Sequence, residues 1–205
     1  MSSEQKILTR DVEASVVPIG TKVTLQKLSL IHIFEVAEPV QLIYISSAKQ
    51  NGEVILPRNL VIAEANSKLT VVESYISTGN AAYFTNTVTE ILAGDHAVVE
   101  HVKLQDEAAD AFHIATIAGE FGRASNVTVH SFALGAKLSR TNIRAKLAGE
   151  GLECILNGLY LTKDEQLADH HMIVAVSYTH LDVYKRQVFH DAADGRDSNE
   201  LRPHR

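Results

Sequence analysis

Val71-Val72-Glu73-Ser74 recurs 27 residues later as Val98-Val99-Glu100-His101, and Val127-Thr128-Val129-His130 follows after a further 29. Between each pair lies a second short run of β-branched and apolar residues, bounded by turn formers. Phe84 to Leu92, Phe112 to Ala118 and Thr141 to Leu147 are the second runs, and breaks fall at Gly79-Asn80, Gly94-Asp95, Gly119, Gly122, Gly135, Gly149 and Gly151. Runs of this length with frequent β-branching read as strands. A repeat of two strands and two turns is one rung of a coil, in which like side chains stack on the rung below. A sandwich of many short strands shows a similar rhythm. The low aromatic content, 6% with no Trp, fits a core of stacked aliphatic side chains.

The same character extends outward in both directions. Val40, Leu42, Tyr44 and Ser46 alternate with Gln41, Ile43 and Ile45, and Asn51-Gly52 supplies a turn whose second residue accepts positive φ. Further runs are Val54 to Leu56, Asn59 to Glu64, Leu69 to Ile76, Ala97 to Leu104, Asn126 to Leu134 and Cys154 to Leu161. Only Asp106 to Ala111 offers even a single helical turn. The β-rich pattern stops at Ile173-Val174, and the tail from Val188 is charged.

With 205 residues, 45% hydrophobic and 21% charged, the chain has the mix of a globular protein. A net charge of -6 without a dense Lys/Arg block argues against a nucleic-acid surface. No run of 18 apolar residues occurs and the polar start lacks a secretory stretch, so the expected location is cytoplasmic, with no membrane partner. The single cysteine, Cys154, excludes an internal disulfide and any self-contained site needing several thiolates. No Gly-rich phosphate loop is present, so ATP binding is not expected of this chain.

Linked motifs then narrow the reading. Val98-Val99-Glu100-His101-Val102-Lys103-Leu104-Gln105, Ala111-Phe112-His113-Ile114-Ala115-Thr116, His130-Ser131-Phe132-Ala133-Leu134-Gly135 and Gly149-Glu150-Gly151-Leu152-Glu153-Cys154-Ile155-Leu156-Asn157-Gly158-Leu159-Tyr160-Leu161 together resemble the SufB/SufD family of iron-sulfur cluster assembly scaffolds. Arg144 and Asp169-His170-His171 sit where that family has similar residues, and Leu-Asn-Gly-Leu-Tyr-Leu after the Gly-Glu-Gly turn is SufD-like. The resemblance implies a mainly β fold, a right-handed parallel β-helix, here truncated. It implies a scaffold rather than an enzyme, working with SufB-like and SufC-like subunits, the second an ATPase. It also implies an iron-sulfur cluster at the level of the complex, with no cofactor bound by this chain alone. Family members continue past the Asp-His-His motif into a helical region that binds SufC, so the SufC docking region is expected to be missing here.

The ends read differently from the middle. Leu28-Ser29-Leu30-Ile31-His32-Ile33 and Asp182-Val183-Tyr184-Lys185-Arg186-Gln187 are encodable by DNA strings that are reverse complements of each other. This matches adapter sequence joined to a gene fragment; one uninterrupted natural reading frame across both strings would overturn it. The expected organisation is therefore an N-terminal segment of doubtful origin at 1–33, a β-helix core at 34–174 and an irregular, artefactual tail at 175–205.

Cys154 reads as a small buried residue of a rung rather than a cluster ligand. Aligned by the Val-Val repeat, His101 and His130 fall on adjacent rungs beneath Ser74, which reads as an outer polar ladder rather than a metal pair. Glu73 and Glu100 in the same alignment read as an outward column rather than an acid-base pair. Adjacent His170 and His171 point to opposite faces of a strand, so they do not share a site. Asn126-Val127-Thr128 matches a glycosylation acceptor by chance. No residue is assigned a catalytic, cofactor or metal role. The alternative function, a β-helix carbohydrate-active enzyme or acyltransferase, needs a converging set that Glu73, Glu100, Arg140, Arg144 and Lys146 do not evidently form.

Overall fold

The computed structural model describes residues 35–48 and 51–176 in full, and 4–7, 22–25, 34 and 182–191 as backbone only. Val16 to Gly20, His32 and the tail beyond residue 191 lie outside the described residues. The strands are β1 Glu4–Ile7, β2 Lys22–Leu25, β3 Phe34–Glu35, β4 Val40–Ser46, β5 Glu53–Ile55, β6 Arg58–Ala63, β7 Ser67–Ser77, β8 Tyr83–Ala93, β9 Val98–Asp106, β10 Phe112–Phe121, β11 Asn126–Ala133, β12 Leu138–Leu147, β13 Glu153–Thr162, β14 Leu167–Val176 and β15 Asp182–Asp191. Asp106 to Ala111 forms no helix; it closes instead through a tight turn with Ala111 N donating to Ala108 O at 2.9 Å.

From β8 onward each strand pairs with the strand two before it, and β7 to β13 each pair with the strand two after, always in parallel. That pattern is a coil. One sheet holds β3, β4, β7, β9, β11, β13 and β15, the other β5, β6, β8, β10, β12 and β14, and the chain crosses between them twice in each of about five turns. The expected parallel β-solenoid is what forms. β15 falls in the segment read as irregular and pairs with β13, adding one strand beyond the point where the sequence pattern stops. β1 and β2 make a small parallel sheet of their own.

Register is where the structure departs from the Val-Val alignment. His101 lies beside Val71 and Val129, not beside Ser74 and His130, whereas Glu73 lies beside Lys103, and Glu100 beside Thr70 and Thr128. The first misalignment is three residues and the second is one, both odd. An odd slip exchanges the faces of a strand. His101 and Glu73 therefore face the lumen and His130 and Glu100 the outside.

The corner after the second strand of each turn holds the register in place. Asn66, His96, Ala124 and Gly151 occupy it in successive turns with φ of 60°, 58°, 51° and 65°. The backbone ladder continues through it, since Asn66 N donates to Asp95 O at 2.9 Å, His96 N to Arg123 O at 2.8 Å and Ala124 N to Glu150 O at 2.9 Å. Two residues before that position Gly94, Gly122 and Gly149 stack on one another. A β-carbon on Gly149 would stand 2.2 Å from Arg123 N and 2.7 Å from the Gly122 carbonyl carbon. Both obstacles are backbone, so relief requires the turns to part. Gly149→Ala is accordingly expected to destabilise the fold by about 2–3 kcal/mol, read as a lower denaturant midpoint; a loss under about 0.5 kcal/mol would show that the corner yields freely.

Inside the coil the side chains divide lengthwise. Near the starts of the odd strands and the ends of the even ones, Val71, Ile91, Val99, Ile117, Phe121, Val127, Val129, Ile143, Leu147, Cys154 and Leu156 pack into one apolar column. Each large member contributes roughly 1.5–3 kcal/mol by leaving water. The other half of the lumen is polar.

Candidate functional site

The polar half is built by alternation. In β9 and the residue after it, His101, Lys103, Gln105 and Glu107 recur every second position and all point inward, each 5% exposed or less, while Val102 and Leu104 between them face out. Glu73 and Tyr75 lie on the turn before, Ser131 on the turn after. Across the lumen β8 contributes Thr85, Thr87 and Thr89, β10 His113, β12 Ser139 and Thr141, and β14 His170, all buried. The register stacks His113 between Thr85 and Ser139, and Thr141 against His170.

Two carboxylates organise this column. Glu73 accepts from Thr89 Oγ1 at 2.7 Å, from Tyr75 Oη at 2.9 Å and from His101 Nε2 at 3.0 Å. Burial works to raise its pKa, but the His101 contact and the two hydroxyls outweigh burial and hold it below the usual carboxylate value. Glu107 accepts from Thr85 Oγ1 at 2.8 Å, Tyr83 Oη at 3.1 Å and Gln105 Nε2 at 3.3 Å, and lies 2.5 Å from His113 Nδ1. It too is held low, against burial, by these donors. Burial, with Lys103 nearby, pushes His113 down to about 4, so at neutral pH Glu107 is the anion and His113 the neutral donor through Nδ1–H.

Lys103 lies between the two acids and is wholly buried. Its Nζ donates to Thr141 Oγ1 at 3.4 Å and stands 5.8 Å from the Tyr75 ring centre. Burial lowers its pKa to about 8, against the pull of Glu107 and Glu73. Beyond it the contacts continue from Thr141 to Ser131 at 3.5 Å and from Ser131 to His170 Nε2 at 3.4 Å. His170 is also pushed down to about 4, by burial first and Lys103 second. At the other end Tyr44 stacks on Tyr75 at 4.7 Å and bonds Asn59, which donates to Thr89 at 3.2 Å. A polar thread thus reaches through successive turns of the coil.

The sequence pattern hides this thread because hydropathy points the apolar parity of Val98 to Glu107 inward, and the structure buries the other one. The signal was the unbroken spacing of His101, Lys103, Gln105 and Glu107. Glu73 and His101, read as outward, are corrected to a buried hydrogen-bonded pair. The outer ladder exists one residue away: His130 Nδ1 is 3.1 Å from Asn157 Nδ2, and its Nε2 is 3.8 Å from Glu100. Cys154 is buried in the apolar column. His170 faces in and His171 out, as adjacency in a strand requires. Arg140, Arg144 and Lys146 are exposed, Arg140 paired with Asp169 at 3.5 Å and Lys146 with Glu120 at 3.0 Å. Among the described residues no three His, Cys, Asp or Glu side chains gather as a metal site. No helix there is long and apolar enough to cross a membrane.

Comparison with known proteins places this solenoid among relatives. Residues 44–196 match the family described as SUF system FeS cluster assembly, SufBD core domain. The chain is 33% identical over 154 residues to an iron-sulfur cluster assembly SufBD family protein of Synechocystis, covering 71% of this chain and 34% of that protein. It is 27% identical over 136 residues to the iron-sulfur cluster assembly protein SufD of Escherichia coli, covering 65% and 32% respectively. A chloroplastic protein of Arabidopsis thaliana is 25% identical over 150 residues, covering 70% and 32%. The chain spans about a third of the length of the curated relatives it matches.

Proposed function

Since the chain belongs to the SufBD family, we propose that it is the β-helix section of a SufD-like scaffold subunit, which supports iron-sulfur cluster assembly together with SufB-like and SufC-like partners. The observation that carries this reading is the family match over 44–196, which begins within β4 and runs along the solenoid. The cluster is cargo of the assembled complex. This chain's part is a rigid frame with no catalytic step of its own, and its compartment is the cytoplasm.

The arrangement of side chains supports a frame over a catalyst. A β-helix enzyme for sugars or acyl groups gathers its acids and bases on one accessible face. Here Glu73 is inside and Glu100 outside, while Arg140 and Lys146 are held in surface ion pairs with Asp169 and Glu120. Co-expression of the gene product that contains this chain with the SufB-like and SufC-like proteins of the same organism tests the reading. A stable complex that loads an iron-sulfur cluster when supplied with iron, sulfide and ATP is the expected result. Purification of the chain free of both partners, or turnover of a polysaccharide or acyl donor by the chain alone, would overturn it.

A further inference from the structure

The donors and acceptors around Lys103 do not balance within the protein. A lysine ammonium carries three N–H donors and no acceptor. Lys103 has one protein acceptor, Thr141 Oγ1 at 3.4 Å, and among the described residues no carboxylate pairs with it within 4.0 Å. On the same strand, and on β10 and β12 across the lumen, are buried polar atoms with no protein partner, Gln105 Oε1, His113 Nε2 and Ser139 Oγ among them. Their chemistry is defined by their other contacts. Gln105 Nε2 faces the acceptor-only Glu107, so Oε1 is the free end. His113 puts its proton on Nδ1 toward Glu107, so Nε2 presents a lone pair. Ser139 stacks directly against His113 and lies two residues before Thr141 on the same inward face. Lys103 and His113 both approach the Tyr75 ring, His113 at 5.0 Å between centroids.

Unmet donors and unmet acceptors thus share one compartment without reaching each other. Leaving such groups unmet costs about 1–3 kcal/mol each. The guest that satisfies them must both accept and donate. An anion accepts from Lys103 but has nothing to give Gln105 Oε1 or His113 Nε2, and the Glu73 and Glu107 carboxylates repel it. A metal cation offers no acceptor to Lys103 and is repelled by it. Water has both capacities and no charge, and buried waters occur about once per 27 residues with about three hydrogen bonds each.

We propose that the lumen between β9, β10 and β12 is a water-binding site. One ordered water there accepts from Lys103 Nζ and donates to Gln105 Oε1 or His113 Nε2, with Ser139 Oγ in the same network. With that water in place, a continuous hydrogen-bonded path runs from Glu107 and His113 through Lys103, Thr141 and Ser131 to His170. A path of this kind lets a fully buried ammonium exchange its protons without unfolding of the coil.

The test uses the whole chain. A crystal structure at a resolution that shows water is expected to reveal density within hydrogen-bond distance of Lys103 Nζ and of Gln105 Oε1, His113 Nε2 or Ser139 Oγ. Water-oxygen magnetic relaxation dispersion is expected to count at least one fewer long-lived internal water in Lys103→Met, and the same loss in Ser139→Ala if Lys103→Met does not fold. A dry compartment with these side chains closed on one another, a site that fills with bromide on soaking, or an unchanged count of long-lived waters in a folded variant would each overturn the proposal.

Discussion

Glu73→Ala is expected to lower stability at pH 7 by about 3–5 kcal/mol, since buried donors lose their acceptor at about 1–3 kcal/mol each. One carboxylate here serves three donors, Thr89, Tyr75 and His101, all buried. Its removal leaves His101 and Thr89 without this acceptor and Tyr75 with Thr87 alone, in a lumen whose other half is apolar, and strips Lys103 of one of the two acids that favour its charge. Against a typical domain stability of about 5–15 kcal/mol, that loss leaves a marginal fold. The effect should depend on mismatch more than on polarity. Glu73→Leu combined with His101→Leu removes both members, and it should cost less than Glu73→Ala alone, because Thr89 and Tyr75 hydroxyls are cheaper to leave than an imidazole. Urea unfolding of the single and double variants measures both values. A single-variant loss below about 1 kcal/mol, or a double variant no better than the single, would mean that the pair does not organise the lumen.

The fold class was legible because its signals are local. Strand-length runs of Val, Ile and Thr between glycine-bearing breaks, repeated about every 28 residues, describe a two-strand rung whatever the alignment. Register was not legible from the same residues. Val-Val pairs such as Val71-Val72 and Val98-Val99 align equally well in more than one way, and a slip of one residue exchanges inside and outside. The residues that do hold register are less conspicuous: Gly94, Gly122 and Gly149, whose backbones touch, and the positive-φ column that follows them. Anchoring on those glycines turns His101 inward and His130 outward at once. The candidate site was hidden for a different reason. Hydropathy assigns the apolar parity of a strand to the core, and in β9 the parity of His101, Lys103, Gln105 and Glu107 is the buried one, with Thr85 and Thr141 of the opposite sheet bonding Glu107 and Lys103. Burial of Cys154 was readable because both parity and residue type agree there.

Acidification should weaken this protein well before its carboxylates titrate. His113 and His170 are held neutral, their pKa values lowered from the usual 6.5 to about 4. A histidine with a lowered folded pKa adds stability that is complete above 6.5, where both states are neutral. That contribution is lost as pH falls from 6.5 toward 4, where the unfolded chain takes up protons that the fold refuses. Each shift corresponds to about 3 kcal/mol, so together they approach half or more of an ordinary domain's stability. Facing His113 are Glu107, Lys103 and Glu73; facing His170 are Lys103 and the adjacent Asp169. Glu73 and Glu107 are lowered carboxylates, and their contribution stands above the usual value of 4.5 and fails below it. The acid limb therefore has two stages, histidines first and carboxylates second. Lys103 acts with the same slope on the alkaline side. Its lowered pKa of about 8 against a usual 10.5 means that its burial penalty eases as pH rises between those values. Urea unfolding across pH 4.5 to 9 should give stability that climbs to about pH 6.5, levels, and climbs again from about pH 8, and His170→Phe should flatten the acid limb by about 3 kcal/mol. A profile level between pH 7 and 5, in the parent and in the variant alike, would show that the two imidazoles reach water and do not hold the coil neutral inside.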